Sequence, residues 1–240
     1  VPGHASPSTL TSKPVEVVQG GGRISALDNG EIRVEFLPDG RFDLVDRSTG
    51  RRFPGIGRLE DVEDAGDSYD HSPAGYPGKS NGPMDLRTQP IDRRLHDSDI
   101  TRIQTTTNLQ HSDEWSATVH LRVVWNIPAY LDTLNQTRSV ELASVTVDHF
   151  VTLRLGARNI EVETWVDNKA EDHRLRLIIP TGMHLTNANA GTPFDVVRRP
   201  VLHPHDPSWV QPLVPTQPME RFLAVIGTED GLNDGGLALL

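Results

Sequence analysis

The sequence predicts an all-β fold, built as a large antiparallel β-sandwich. Apolar and polar residues alternate along several segments, which is the period of a half-buried strand. The 20 glycines and 18 prolines indicate many turns, and we find no amphipathic helix of ordinary length. Together these features favour two layers of antiparallel strands around one apolar core.

The first strands are predicted as a hairpin. Ile32, Val34 and Phe36 alternate with charged residues, and Phe42 begins the return strand. Between them Pro38-Asp39-Gly40 predicts the turn, because proline presets φ and glycine tolerates a positive φ. The alternation then stops over about residues 59–95, a stretch that contains an acidic run and the loop 71–83, and a loop of this length is often functional.

Long strands are predicted beyond this interruption. In the hairpin closed by residues 156–159, Ile160, Val162, Thr164 and Val166 form one face, whereas Glu161, Glu163 and Asp167 form the other. The last predicted strand begins at Gly236, so we expect the sandwich to be incomplete at the C-terminal end. The predicted strands are 100–109, 117–125, 140–155, 160–167, 175–179, 221–226 and 236–240.

Composition indicates the domain organisation and argues against some classes of partner. Residues 1–22 are rich in Pro, Ser, Thr and Gly and predict a linker, followed by one sandwich domain over 23–240. The net charge of −10 argues against nucleic acid and anionic membrane surfaces as partners, and no apolar run is long enough to span a membrane. The chain has no cysteine and no signal-peptide pattern at residue 1, so we expect a cytoplasmic protein.

An acidic run is the sharpest local feature, with six carboxylates within residues 60–70. A calcium loop, a carboxylate pair for glycoside hydrolysis and a solvated acidic loop all remain open, although Ala65 breaks the EF-hand pattern. Carboxylates this dense repel one another unless they are paired or hydrated. Arg51, Arg52 and Arg58 are the nearest cations in sequence.

The aromatic and histidine residues suggest weaker hypotheses. Trp125 and Trp165 lie on predicted strands and are expected to pack in the core, whereas Trp209 lies in a loop where an exposed ring would stack on a sugar. The ten histidines show no metal-ligand spacing, so no metal site is predicted in this chain. A proton-transferring epimerase would need a His/Glu pair, for which His205 or His149 with Glu163 is conceivable.

One segment resembles a known family. Gly66-Asp67-Ser68-Tyr69-Asp70 followed by Ser72-Pro73 resembles a signature of bacterial glycoside hydrolase family 38 α-mannosidases. Further segments resemble the C-terminal region of that family in the same order, so that the likeness spans residues 24–240. These segments are Asp28–Val34 with Gly40, Asp46 and Thr49-Gly50, then Leu175–Gly182, Phe194–Pro200 and Gly236–Leu239.

The resemblance implies a galactose-mutarotase-like supersandwich within a large, retaining α-mannosidase. The family's N-terminal α/β barrel holds the zinc ion and the nucleophilic Asp, so catalytic residues and zinc ligands are expected outside this chain. The implied partners are an α-mannoside substrate and the barrel of the same polypeptide. We therefore expect the 240 residues alone to hydrolyse nothing.

Substrate contacts are nevertheless implied here, because the family's sandwich supplies a Tyr and an Arg near the sugar. By motif position these are Tyr69 and Arg199, with Asp67 and Arg198 as further substrate-binding candidates. A Tyr hydroxyl both donates and accepts hydrogen bonds, and Arg offers a rigid fork to vicinal hydroxyls. The alternative is a stand-alone carbohydrate-binding module that uses Trp209 and the loop 71–83.

Overall fold

The computed structural model describes residues 13–66, 103–132, 137–201, 217–229 and 233–240. Every regular element in these ranges is a β-strand, and every strand pairing is antiparallel, which confirms the predicted fold class. No membrane-spanning helix occurs in these ranges. The chain divides into two compact units, Val1–Ala74 with Arg93–Pro180 and Gly75–Asp92 with Thr181–Leu240.

The first unit contains two larger sheets. One is a meander whose five strands follow chain order: β1 (Glu16–Gly20), β2 (Arg23–Asp28), β3 (Ile32–Phe36), β4 (Phe42–Asp46) and β5 (Arg52–Ile56). The other has the order β12-β11-β8-β7: β7 (Ile103–Ser112), β8 (Ser116–Pro128), β11 (Leu142–Arg154) and β12 (Ile160–Asn168). The predicted first hairpin is β3–β4, and the predicted long strands are found within a few residues of their expected bounds.

Two short ribbons complete this unit. β6 (Arg58–Glu63) pairs with β13 (His173–Ile178), and β9 (Leu131–Asp132) pairs with β10 (Thr137–Arg138). The β6–β13 ribbon packs on the four-stranded sheet, because Leu59 belongs to the same buried cluster as Trp125 and Val147, and Leu175 packs against that cluster. The interruption predicted from residue 59 is therefore wrong for the first five residues, which continue a strand.

The core of the first unit follows the period of two in its central strands. On β8 the odd-numbered residues from Ala117 to Ile127 are buried, and on β11 those from Val145 to Leu153 are buried. In the meander, Val34 and Phe42 are among the buried side chains. Alternation thus gives the central strands β8 and β11 one apolar face and one polar face, as the sequence predicted, whereas the edge strand β12 is exposed on both faces.

Polar ties connect the meander with the four-stranded sheet. The Asn29 amide donates to the carbonyls of Arg154 and Ala157 at 2.7 and 2.8 Å, while its oxygen accepts from the backbone N–H groups of Glu31 and Ile32. Asn29 is only 2 % exposed, so these four bonds satisfy a buried amide. This residue lies in one of the segments that carry the family resemblance.

The second unit is one four-stranded sheet in the order β15-β14-β16-β17. Its strands are β14 (Asn187–Gly191), β15 (Val196–Pro200), β16 (Leu223–Glu229) and β17 (Asn233–Leu239). The two strands predicted near the C-terminus correspond to β16 and β17. β14 and β15 were not predicted, because their segments lack a regular apolar alternation.

The structure changes the predicted domain bounds. Glu16–Gly20 form β1 and pair with β2, so the linker predicted over residues 1–22 extends no further than the residues before Glu16. The single sandwich predicted over residues 23–240 is divided between the two units. Pairing with an adjacent strand orders this Gly-containing segment despite its composition.

Candidate functional site

The β6–β13 ribbon joins two of the segments that carry the family resemblance. Its register pairs Asp61 with Leu175 and Glu60 with Arg176, so the acidic run lies beside the Leu175–Gly182 segment. The strand β6 then leads directly to residues 66–73. The ribbon is therefore the described element that directly precedes the signature segment in the chain.

Acidic residues of β6 are buried rather than solvated. Glu60, Asp61 and Glu63 are 6 %, 1 % and 3 % exposed. Burial of an unpaired carboxylate is costly, so the strand requires cations or hydrogen-bond donors around it. The solvated-loop interpretation is thus wrong for this part of the run.

The compensating cations come from distant parts of the chain. Asp61 forms an ion pair with Arg138 at 2.5 Å and a hydrogen bond with Nδ1 of His173 at 2.7 Å, and Glu60 forms an ion pair with Arg176. Nε2 of His173 also faces an acceptor, the Oδ1 atom of Asn168 at 3.1 Å. These partners were not predicted, because residues 59–63 were not predicted as a strand and the strand predicted over 175–179 included only Arg176 among them.

Arg52, one of the arginines predicted to compensate the acidic run, pairs with other carboxylates instead. Arg52 pairs with Glu35 at 2.7 Å and with Asp43 at 2.5 Å, in the meander. Proximity in sequence does not predict these ion pairs, because antiparallel pairing brings together residues that are far apart in sequence.

The exit from β6 has a defined geometry. The backbone N–H of Asp64 donates to the carbonyl of Asp172 at 2.8 Å, and the Asp64 carboxylate accepts from the N–H of Gly66 at 2.9 Å. Such an Asx turn redirects the chain without a ladder hydrogen bond. Asp172 itself has a φ of 52° and accepts from the N–H of Leu131. The chain is therefore held on both sides just before the signature segment.

The predicted substrate-binding residues fall into two groups. Asp67 and Tyr69 lie outside the described residues, as do Trp209, His205 and the loop 71–83. Arg198 and Arg199 lie on β15, opposite Asn189 and Ala188 of β14. Their substrate contacts remain predictions.

The two arginines differ in their surroundings. Arg198 is exposed, whereas Arg199 is half-buried and its Nη1 donates to the carbonyl of Pro218 at 2.5 Å. This bond orients the guanidinium, and within the described ranges its remaining N–H groups have no hydrogen-bond partner. Arg199 can therefore present donors to a ligand while it braces the chain before β16.

Of the two conceivable epimerase pairs, His149 with Glu163 is not assembled, and His205 lies outside the described residues. His149 lies on the buried face of β11 opposite Thr164, and Glu163 lies on the other face of β12 opposite Phe150. Nδ1 of His149 contacts the Thr164 hydroxyl at 2.8 Å. Burial lowers the pKa of His149 to about 4, so the ring is neutral near pH 7.

A zinc site does not fit the described side chains. Across the described ranges, no three His, Asp or Glu residues converge as metal ligands. Within the described ranges three histidines contact a carboxylate, in the pairs His173–Asp61, His120–Asp148 and His111–Asp113. In the first two pairs the carboxylate also binds an arginine. That positive charge disfavours a metal cation at the same oxygens.

One tryptophan prediction is confirmed and one is wrong. Trp125 is fully buried, as expected, but Trp165 is 62 % exposed. Trp165 pairs with Asp148, so it lies on the polar face of the sheet rather than on the buried face. The predicted alternation already placed it beside Glu163, and the size of the ring led to the wrong expectation.

Comparison with known proteins agrees with the resemblance found in the sequence. No family model matches the chain. A protein of Halalkalibacterium halodurans named "Putative mannosylglycerate hydrolase" is 26 % identical over 215 residues, which are 87 % of this chain and 22 % of that protein. The chain thus spans about a fifth of the length of this curated relative.

Solved structures show the same fold. An α-mannosidase from Enterococcus faecalis V583 matches 89 % of this chain with a TM-score of 0.62 and 20 % identity. A glycosyl hydrolase family 38 protein from Enterococcus faecalis matches 89 % with a TM-score of 0.61 and 19 % identity. The chain covers 25 % and 26 % of these two structures, so its fold is that of a minor part of family 38 proteins.

Proposed function

We propose that this chain is the β-sandwich part of a glycosidase that cleaves α-mannosidic bonds. The observation that carries the proposal is the match of 89 % of the chain, at a TM-score of 0.62, to part of an α-mannosidase. The curated relative, named for the hydrolysis of a mannosyl compound, supports the same substrate class. Its nucleophile and zinc ion would belong to the remainder of the polypeptide.

The role of this chain would be to contact the substrate. Tyr69 lies three residues beyond Gly66 in the sequence, and its hydroxyl would bind a sugar oxygen or the nucleophilic carboxylate. Arg199, oriented by Pro218, would donate to sugar hydroxyls. The buried pairs of Glu60 and Asp61 would keep the ribbon rigid, which is what a precisely positioned contact requires.

The test is the Tyr69→Phe variant of the complete polypeptide. Loss of the hydroxyl is expected to lower kcat/KM for an α-mannoside at least tenfold, about 1.4 kcal/mol of transition-state stabilisation. Tyr130→Phe is the matched control, since Tyr130 is 42 % exposed on a hairpin of the first unit. Unchanged kinetics for Tyr69→Phe, or equal losses in both variants, would overturn the assignment.

A further inference from the structure

The outer face of the four-stranded sheet carries an exposed aromatic ring among charged groups. The register aligns Trp165 of β12 with Asp148 of β11 and Arg122 of β8. Trp165 is 62 % exposed, whereas Trp125 on the opposite face is fully buried. Trp165 is thus a large aromatic ring on the solvent side of the sheet, where it can contact a ligand.

The neighbouring row supplies further aromatic and acidic groups. Here Glu163 aligns with Phe150 and His120. The rings of His120 and Phe150 are stacked, with centroids 4.7 Å apart and planes inclined by 9°. We call the two rows together the outer platform, which consists of Trp165, Asp148, Arg122, Glu163, Phe150 and His120.

Hydrogen bonds hold the outer platform in place before any ligand arrives. Asp148 accepts from Arg122 Nε at 2.6 Å and Nη2 at 3.0 Å, and its Oδ1 contacts His120 Nε2 at 2.6 Å. The indole Nε1 of Trp165 donates to Oε1 of Glu163 at 2.9 Å. Fixed side chains lose little conformational entropy on binding, which favours recognition of a small ligand.

Two hydrogen-bonding atoms beside the exposed ring have no partner among the described residues. Within the described ranges, Arg122 Nη1 and Glu163 Oε2 have no hydrogen-bond partner. One is a donor and the other an acceptor, and each is attached to a side chain already oriented by a neighbour. A ligand that covers the Trp165 ring can therefore gain hydrogen bonds of both kinds.

The charge pattern selects a neutral ligand. The positive charge of Arg122 is compensated by Asp148, while Glu163 adds negative charge beside the ring. Phosphates and nucleic acids would be repelled, and the surface is too polar for a lipid. A pyranose ring complements it, because its C–H face stacks on an indole while its hydroxyls both donate and accept.

We propose that the outer platform is a non-catalytic binding surface for a hexopyranoside. It differs from the Tyr69 and Arg199 contacts assigned above and also from the loop 71–83 and Trp209. Binding of a hexopyranoside follows from the platform itself, and only the choice of a mannoside as first probe rests on the proposed function. The surface would hold part of a glycan chain without acting on its glycosidic bond.

The experiment is a calorimetric titration of the full chain with methyl α-mannoside, methyl β-galactoside and cellobiose. Saturable binding of at least one glycoside is expected, with a Kd on the order of 1 mM. Trp165→Ala should weaken that binding at least tenfold, and Glu163→Gln should weaken it severalfold. Trp165→Phe, which keeps a ring, should retain more affinity than Trp165→Ala.

Trp115→Ala is the matched control. Trp115 is also 62 % exposed, but it lies in the turn between β7 and β8, away from these rows. The Trp115→Ala variant should bind the glycoside with the same affinity as the unsubstituted chain. Circular dichroism should show that all variants fold. No saturation by any of the three glycosides, or an equal loss in Trp115→Ala and Trp165→Ala, would overturn the inference.

The outcomes separate this inference from the proposed function. Binding of only the galactoside or cellobiose, lost in Trp165→Ala, would support the platform and weaken the mannoside assignment. A kinetic defect in Tyr69→Phe without any binding at Trp165 would support the glycosidase and reject the platform.

Discussion

Asp61 is a buried carboxylate that binds two side chains from other strands, Arg138 and His173. Its side chain is fully buried, that of His173 is 2 % exposed and that of Arg138 is 11 % exposed. In such a setting the favourable attraction only offsets the cost of removing the charges from water. Removing one partner should therefore lower the free energy of unfolding by much more than the intact set of contacts raises it.

Asp61→Asn tests this balance. The substitution removes the negative charge and leaves Arg138 and His173 buried without their carboxylate, so we expect a loss of about 3 kcal/mol in the free energy of unfolding. Glu161→Gln is the control, because Glu161 pairs with Arg154 where both side chains are more than half exposed. It should cost less than about 0.5 kcal/mol in urea unfolding. Similar small losses in both variants would contradict the buried-pair interpretation.

His149 makes the stability depend on pH in a defined direction. Burial lowers its pKa from 6.5 to about 4, so below pH 6.5 the unfolded chain binds a proton that the folded chain does not. The contribution of neutral His149 is fully present above pH 6.5 and is lost progressively as the pH falls toward 4. Over that window it amounts to about 3 kcal/mol.

The His149→Gln variant isolates this contribution. Glutamine does not titrate and can still reach the Thr164 hydroxyl, so the slope of unfolding free energy against pH should fall by nearly one proton between pH 6.5 and 4. Urea unfolding at several pH values measures it. An unchanged slope would show that another group titrates in this window.

The β3–β4 hairpin shows how one turn sets the spacing between elements. Gly40 has a φ of 85°, and an added Cβ would overlap the Cγ2 methyl of Val123, a core residue of β8. The Oγ1 of Thr105 on β7 also donates to the carbonyl of Pro38 in the same turn. The turn thus rests directly on the four-stranded sheet, and only glycine leaves room for it.

Gly40→Ala and Gly50→Ala separate close packing from backbone strain. Both residues have positive φ, 85° and 73°, but a Cβ at Gly50 would meet no atom within 4 Å. We expect Gly50→Ala to cost about 1 kcal/mol from strain alone. Gly40→Ala should cost at least ~2 kcal/mol more, because Val123 must move. Equal losses of unfolding free energy in the two variants, measured by urea unfolding, would mean that Val123 moves aside at no energetic cost.

At the scale of the whole molecule, local periodicity predicted most of the first unit. β3, β8 and β11 alternate as expected because each has one face in the core. β6 was missed because its buried positions carry Glu60, Asp61 and Glu63, and the arginines that pair with Glu60 and Asp61 lie far along the chain. No local pattern can show such partners.

The candidate site was predictable to a different extent. The signature around Tyr69 could be found only through resemblance, since nothing in its composition indicates sugar contacts. The outer platform depends on the register of three strands, which sequence periodicity does not determine. Trp165 was assigned to the core because large aromatic residues are usually buried, although its parity already placed it on the polar face.

The β6–β13 ribbon also has a consequence for how the chain folds. Asp61 and His173 are 112 residues apart, so the ribbon closes a long loop and contributes strongly to contact order. Closing this loop costs more conformational entropy than closing the short hairpins that lie between Asp61 and His173 in the sequence. We therefore expect the ribbon to form late, once β7, β8, β11 and β12 have folded. Substitutions that destabilise those distant strands would then also lower the fraction of molecules that complete the ribbon.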